Sequence, residues 1–258
     1  MQKEKNILLS FDVEEFDLPL EYRKTINVDE QLSTGYKGLL ELKDILSEKN
    51  PAATFFTTAF FAENFPTEIK ELSISNEIAS HTYFHSSFKE EDLRFSKGKL
   101  EQITGKQIFG MRMPRMKKIN ASSVIAAGYA YNSSINPTWI PGRYNNLRVS
   151  RKIFLENNLI QFPVSVTPTF RIPLFWLAFK NMPYPIFLKL ALQTLRNDGY
   201  ICLYFHPWEF IDLSEYKLPS YITRGSNKKL SIKLERLIND LSNEGPFSTM
   251  HDFLNSKF

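Results

Sequence analysis

Short apolar runs alternate with helical periodicities along almost the whole chain. That alternation restricts the fold more than any single motif. Residues 7–11 read as a buried strand, after which Leu39, Leu42, Ile45 and Leu46 recur at helical spacing until Asn50-Pro51 stops them. Residues 53–57 read as a second strand. Phe61, Phe65, Ile69 and Leu72 mark the next helix, with Pro66 near its start. A strand at 77–80 follows, then a helix marked by Leu93, Leu100 and Ile103 and weakened by Gly98. Further on come a strand at 107–112, a helix at 121–127 closed by Gly128, and a strand at 159–164. A helix at 186–196 closes near Gly199 and leads into an apolar strand at 200–205. Leu230, Leu234, Leu237 and Leu241 line a last helix closed by Gly245. Such alternation predicts an α/β fold with a mostly parallel sheet or barrel. No Gly/Ser-rich linker or internal repeat divides the sequence, so a single domain over residues 1–258 is expected.

A chain of this length can bury a large core, and a hydrophobic share of 43% excludes disorder as its main state. The net charge of +4 is mild and reads as a solvated surface, with an anionic substrate or a membrane surface as the alternative. No nucleic-acid partner is expected. The single cysteine, Cys202, excludes an intrachain disulfide and reads as a buried, inert thiol. The run 7–11 is too short for the core of a secretion signal, which makes a cytoplasmic location the expectation. Residues 170–195 are apolar and aromatic, but Arg171, Lys180, Lys189 and several prolines interrupt them. A membrane-crossing helix needs about 20 mostly apolar residues. A lid, a substrate wall or a peripheral membrane contact fits this stretch better. Phe175, Trp176 and Phe179 could line a sugar- or lipid-facing wall or pack as ordinary core.

In parallel α/β folds, functional groups gather at the carboxyl ends of the strands. His81 and His85, two of only four histidines, follow the strand at 77–80. A spacing of four can place both imidazoles on one face of a helical turn, close enough to share a metal; the plainer reading is two polar loop residues. Asp12 and Glu14 end the first apolar run and project to the same side of an extended chain. One could bind metal while the other accepts a proton from water, or both could be a solvated strand end. Glu15 and Asp17 take that solvated reading. His206, at the end of the run 200–205, is either a satisfied core histidine or a poised acid. Glu209 could orient it, act as an alternative acid or face solvent. Arg112 could hold a carboxylate oriented and ionised, or sit at the surface. His251 has no partner in the sequence and takes a structural or surface role.

Five segments carry more together than apart. They are Ser10-Phe11-Asp12-Val13-Glu14; Ala53-Thr54-Phe55-Phe56 with Glu77 through His85; Gly110-Met111-Arg112-Met113-Pro114; Tyr131-Asn132-Ser133-Ser134 with Phe162-Pro163-Val164-Ser165; and Leu203 through Glu209. In this order they resemble the polysaccharide deacetylase family (NodB homology, carbohydrate esterase family 4). The nearest subgroup has a Phe-Asp-Val-Glu start and a Phe-His-Pro-Trp-Glu end. The resemblance implies an irregular (β/α)7-type barrel and metal-dependent removal of N-acetyl groups from an acetylated amino-sugar substrate. It implies a divalent metal, Zn2+ foremost, on His81 and His85. Asp12 would be the base, His206 the general acid, and Arg112 the residue that positions Asp12. Backbone N–H groups after Pro114 would stabilise the oxyanion, with Pro114, Arg115, Trp208 and Glu209 contacting substrate. The family's usual metal-binding aspartate slot is Val13 here, and Glu14 is the replacement ligand. Arg115 stands where an aromatic residue is common, and Asn132 stands where an aspartate that tunes His206 is frequent. An acetamido sugar on a nucleotide or a lipid-linked precursor is the expected substrate. The alternatives are hydrolysis of another linear or cyclic amide on the same scaffold, and a catalytically weak metal- or glycan-binding protein.

Overall fold

The structure is a computed structural model that describes residues 5–257; the polar start at residues 1–4 lies outside the described residues. The strands in chain order are β1 (Asn6–Val13), β2 (Ala53–Thr57), β3 (Glu77–Ser80), β4 (Gly110–Met111), β5 (Tyr131–Asn132), β6 (Trp139–Ile140), β7 (Tyr144–Asn145), β8 (Phe154–Glu156), β9 (Leu159–Gln161) and β10 (Tyr200–Phe205). Eight of them form one curled sheet in the order β10-β1-β2-β3-β4-β5-β9-β8, and β6 pairs with β7 in a separate hairpin. Every pairing in the large sheet is parallel except the antiparallel edge of β8 and β9. The sheet closes on itself irregularly. The Ser165 N–H donates to the Cys202 carbonyl at 2.9 Å, and Phe175 bridges Tyr204 in parallel.

The closure leaves two cores, and strand alternation sorts the side chains between them. Leu8, Phe56, Ala79, Tyr131, Phe162 and Cys202 fill the barrel interior. Ile7, Leu9, Phe11, Val13, Phe55 and Leu203 face outward beneath the helices. Cys202 is wholly buried, and burial pushes its thiol up to about 12. The helices fall where periodicity places them, with different ends. The first long helix is Val28–Ser47, extended well before Leu39 by the Asn27 side chain, which accepts the Glu30 N–H. Pro66 does not merely delay the second helix. It divides the segment into Ala59–Asn64 and Pro66–Ser75, because proline fits the first turn of a helix and not its interior. The expected strand at 107–112 is only two residues long, Gly110–Met111.

Candidate active site

Asp12 lies near the end of β1, and Glu14, His81, Arg112 and His206 each lie just beyond the end of β1, β3, β4 and β10. Together they border a cavity of about 270 Å³ or lie directly behind it. Val13 points the other way, into the helix-side core, so the slot after Asp12 offers no side chain to the cavity.

Glu14 stands between the two histidines. Its Oε2 is 3.1 Å from His81 Nε2 and 3.1 Å from His85 Nε2. Its other oxygen accepts the Trp208 indole N–H at 3.1 Å, which fixes the carboxylate's orientation. All three residues are buried, and Glu14 Oε2 makes no hydrogen bond among the described residues. A buried carboxylate oxygen left without a donor is costly, which suits a site built for a cation. The three ligand atoms lie within 4.8 Å of one another, and one carboxylate with two imidazoles is a donor set that divalent zinc accepts. The residues therefore fit a divalent metal. Burial alone would raise Glu14, but the neighbouring charges of His85, His206 and His81 hold it far below the usual carboxylate range. Burial likewise pulls His85 down, but the charges of Glu14 and Asp17 push it up to about 9.

The histidines do not sit on a helical turn. They occupy an irregular loop in which Thr82 has φ 66°, a left-handed conformation uncommon for a β-branched residue. The loop is held from outside. The first N–H groups of the helix Ala59–Asn64 lack intrahelical acceptors, and those of Ala59 and Phe60 donate to the Thr82 and Tyr83 carbonyls at 3.0 and 2.9 Å. Glu15 ties the same loop to two others, accepting from the His85 N–H and the Thr58 hydroxyl, each at 2.7 Å. Asp17 pairs with His85 Nδ1 at 2.7 Å, which orients the ring with Nε2 toward Glu14. Glu15 and Asp17 are thus buried supports, not the solvated strand end expected from sequence. Asp17 follows Glu14 by three residues, but only the loop's folding shows that it reaches His85.

Asp12 meets Arg112 Nη1 at 2.5 Å, and the other guanidinium nitrogens bond Ser10 Oγ, Ser133 Oγ and the Ser133 carbonyl at 3.0–3.2 Å. Arg112 is fully buried with the Phe56 ring 4.0 Å from its guanidinium carbon, which excludes the surface reading. His206 Nε2 lies 3.9 Å from Asp12 Oδ2. Behind the ring, Glu209 Oε1 accepts from His206 Nδ1 at 3.1 Å and from the His206 N–H at 2.7 Å. Lys180, buried in the helix Trp176–Asn181, stands 3.6 Å from Glu209 Oε2. Sequence reasoning missed this lysine, although a cation inside an apolar helix was the available signal. Burial pulls His206 down, but the Glu209 hydrogen bond and the Glu14 charge leave it above its ordinary value.

Several expected substrate contacts are placed otherwise. Glu209 is fully buried behind His206 and faces no cavity. Trp208 lines the cavity, but its N–H is spent on Glu14. Pro114 is buried and away from the cavity wall. Arg115 lines the wall, with its guanidinium committed to Asp17, Glu21 and the His85 carbonyl. After Pro114, the Met116 and Lys117 N–H groups are taken by the Met113 and Pro114 carbonyls at 3.1 Å. The Arg115 N–H, early in that short turn, is the donor without an intrahelical acceptor. Asn132 does not touch His206. It bonds Gln161 at 2.9 Å and accepts from Ser134, whose hydroxyl in turn accepts the Met113 N–H at 2.8 Å. In the apolar stretch, Phe175, Trp176 and Leu177 line the cavity while Phe179 is core. No helix among the described residues is long and apolar enough to cross a membrane. His251 stacks on Phe109 at 3.7 Å and bonds Asn255, far from the cavity.

A curled parallel sheet with a histidine pair, acidic residues and a backed histidine at its strand ends defines an α/β barrel of the deacetylase type. The chain belongs to the polysaccharide deacetylase family, whose model matches residues 2–131. Solved structures agree on the fold. A Mycobacterium smegmatis protein classed as a polysaccharide deacetylase superposes with a TM-score of 0.66 at 17% identity, over 98% of this chain and 90% of that one. A mutant of the Bacillus subtilis peptidoglycan deacetylase PdaC gives 0.53 at 14% identity, over 100% and 93%. A carbohydrate esterase family 4 pseudoenzyme from Bacillus anthracis gives 0.54 at 11% identity, over 98% and 66%. No curated protein sequence matches the chain. A fold shared with a pseudoenzyme does not by itself carry an activity, so the function rests on the site.

Proposed function

We propose that this protein is a divalent-metal-dependent hydrolase that removes the N-acetyl group from an amino-sugar substrate, with residues 1–258 acting as one catalytic domain. The observation that carries this reading is the unpartnered Glu14 Oε2 between two imidazole Nε2 atoms, with Asp12 and His206 beside it. Glu14, His81 and His85 hold the ion. When bound, a divalent cation, Zn2+ foremost, polarises an amide carbonyl and makes water acidic enough to attack near neutral pH.

The remaining work falls to the chain. Asp12, held by Arg112, accepts the proton released as water adds to the carbonyl carbon. The ion pair holds the carboxylate aimed at the cavity, and a carboxylate oxygen is what the step needs. The Arg115 N–H donates to the developing oxyanion. An amine leaves poorly as an anion, so the nitrogen must be protonated as the C–N bond breaks. His206 donates that proton, and Glu209 holds the ring in the productive tautomer while stabilising its charged form. Trp176 and Leu177 supply an apolar wall against which the sugar ring packs.

Acetate release from N-acetylglucosamine oligomers tests the reading. Thorough chelation should abolish it, and added Zn2+ should restore it. Release that survives chelation contradicts the metal-dependent mechanism.

A further inference from the structure

A second cavity, of about 1040 Å³, adjoins the catalytic one and shares Glu21, Arg115, Met116, Arg143 and Tyr144 with it. Its walls are basic. Five cations face two carboxylates, and both carboxylates are already engaged. Glu21 accepts from Arg115 and Arg143, and Glu156 accepts from Gln161 at 2.7 Å. Lys117, Lys118 and Arg148 are exposed, and among the described residues they join no ion pair. A backbone feature places the first two there. Arg115 and Met116 both take left-handed φ values, 57° and 54°, which turn the chain so that Lys117 and Lys118 line the second cavity directly after Arg115 lines the first. The amides of Asn132 and Gln161 border the cavity but are bonded to each other, to Ser134 and to Glu156, which leaves the cations as its ligand-facing groups.

We propose that this annex binds a phosphate or diphosphate ester carried by the acetamido sugar, so that the substrate is a phosphorylated sugar spanning both cavities. The proposal rests on the deacetylase reading and narrows its substrate class. A neutral glycan has no use for three cations without ion-pair partners lining one cavity. A diphosphate brings several anionic oxygens that separate point charges can neutralise together, and lysine ammonium groups suit such a ligand. The contact is solvent-facing, so its strength falls with ionic strength.

The test compares acetate release from a neutral methyl N-acetylglucosaminide, UDP-N-acetylglucosamine and a short-chain polyprenyl diphosphate N-acetylglucosamine, using the full chain. Binding of each compound is measured in parallel by calorimetry, independently of turnover. The expected result is a kcat/KM advantage of roughly tenfold or more for a diphosphate substrate, expressed in KM. The ratio of diphosphate to neutral substrate should collapse when Lys117→Ala, Lys118→Ala and Arg148→Ala are combined, and should shrink in high salt. An advantage for the nucleotide alone or the lipid alone identifies the source of the phosphate. Equal binding of neutral and diphosphate sugars, a ratio unchanged in the triple variant, or an equal gain from a carboxylate-bearing acetamido sugar overturns the proposal. If no compound releases acetate while diphosphate binding still weakens in the triple variant, the annex stands and the deacetylase reading fails.

Discussion

His206 has a different partner on each side. Asp12 faces its Nε2 from the cavity, and Glu209 holds its Nδ1 from within the protein, with Lys180 behind Glu209. A general acid must be protonated at the start of its step, so a histidine raised above its ordinary 6.5 keeps that form at neutral pH. Activity should therefore fall on the alkaline side, as pH rises through the raised value. Glu209→Gln removes the anion and should move that limb to lower pH. His206→Ala should cost about 100- to 10,000-fold in turnover while metal content is unchanged. A pH–rate profile with metal analysis checks all three, and equal loss of metal and activity in His206→Ala would contradict the assignment. At this scale the residue types and strand-end positions were legible, because carboxylates and histidines that directly follow apolar runs stand out. Their supports were not. Glu15 and Asp17 looked like ordinary solvated acids, Glu209 stood open between orienting His206, acting as an alternative acid and facing solvent, and only tertiary contacts bury them. Asn132 was expected to weaken His206, yet Glu209 supplies the partner and Asn132 supports the Arg112 turn instead.

Among the elements, the helix Val28–Ser47 governs how closely the two ends of the site approach. It presents Gly35 and Gly38, one turn apart, to the backbone that carries the candidate site. A Cβ on Gly35 would collide with the Glu14 carbonyl, and one on Gly38 would lie 2.5 Å from the Trp208 nitrogen. At these two positions the helix meets the segments after β1 and β10 backbone to backbone. Gly38→Ala should lower stability by about 1–3 kcal/mol from overpacking and lower turnover further by displacing His206. Thermal denaturation and kinetics on one preparation check this. A variant with wild-type stability and activity would show that the close approach is not needed. The sequence marked this helix by its leucines from Leu39 onward. It gave no sign of the glycines' purpose, because a glycine in a helix reads as a weakness until its neighbour is known. The histidine loop failed for the related reason that a spacing of four suits a helical turn. The loop instead follows the N–H groups of the helix Ala59–Asn64, which lie far from it in sequence.

Across the whole molecule, the two ends of the barrel carry different tasks. The carboxyl ends of the strands hold the site, and the opposite end holds Glu77 at the start of β3. Glu77 accepts from Thr54 and Tyr131 at 2.8 Å and from the His251 N–H at 3.1 Å. Burial pushes its carboxyl up to about 7 from an ordinary 4.5, beyond what these hydrogen bonds counteract. A folded value above the unfolded one favours the protonated native state. That contribution is complete below pH 4.5 and is lost as pH rises to about 7. Glu77→Gln should flatten the fall in melting temperature across this window, and an unchanged slope in the variant would exclude Glu77 as its source. The parallel α/β architecture was legible throughout, since strand–helix alternation is a long-range pattern that single residues do not disturb. The irregular closure between Ser165, Phe175 and β10 was not, because it depends on a few backbone contacts outside regular strands. The central claim concerns how this barrel end is loaded. Anomalous diffraction from crystals grown with Zn2+ tests it most directly. The account predicts one strong peak bonded to Glu14, His81 and His85, with Asp12 unbonded beside it. A peak held by Asp12 in place of Glu14, or no peak at the histidines in zinc-saturated protein, would contradict it.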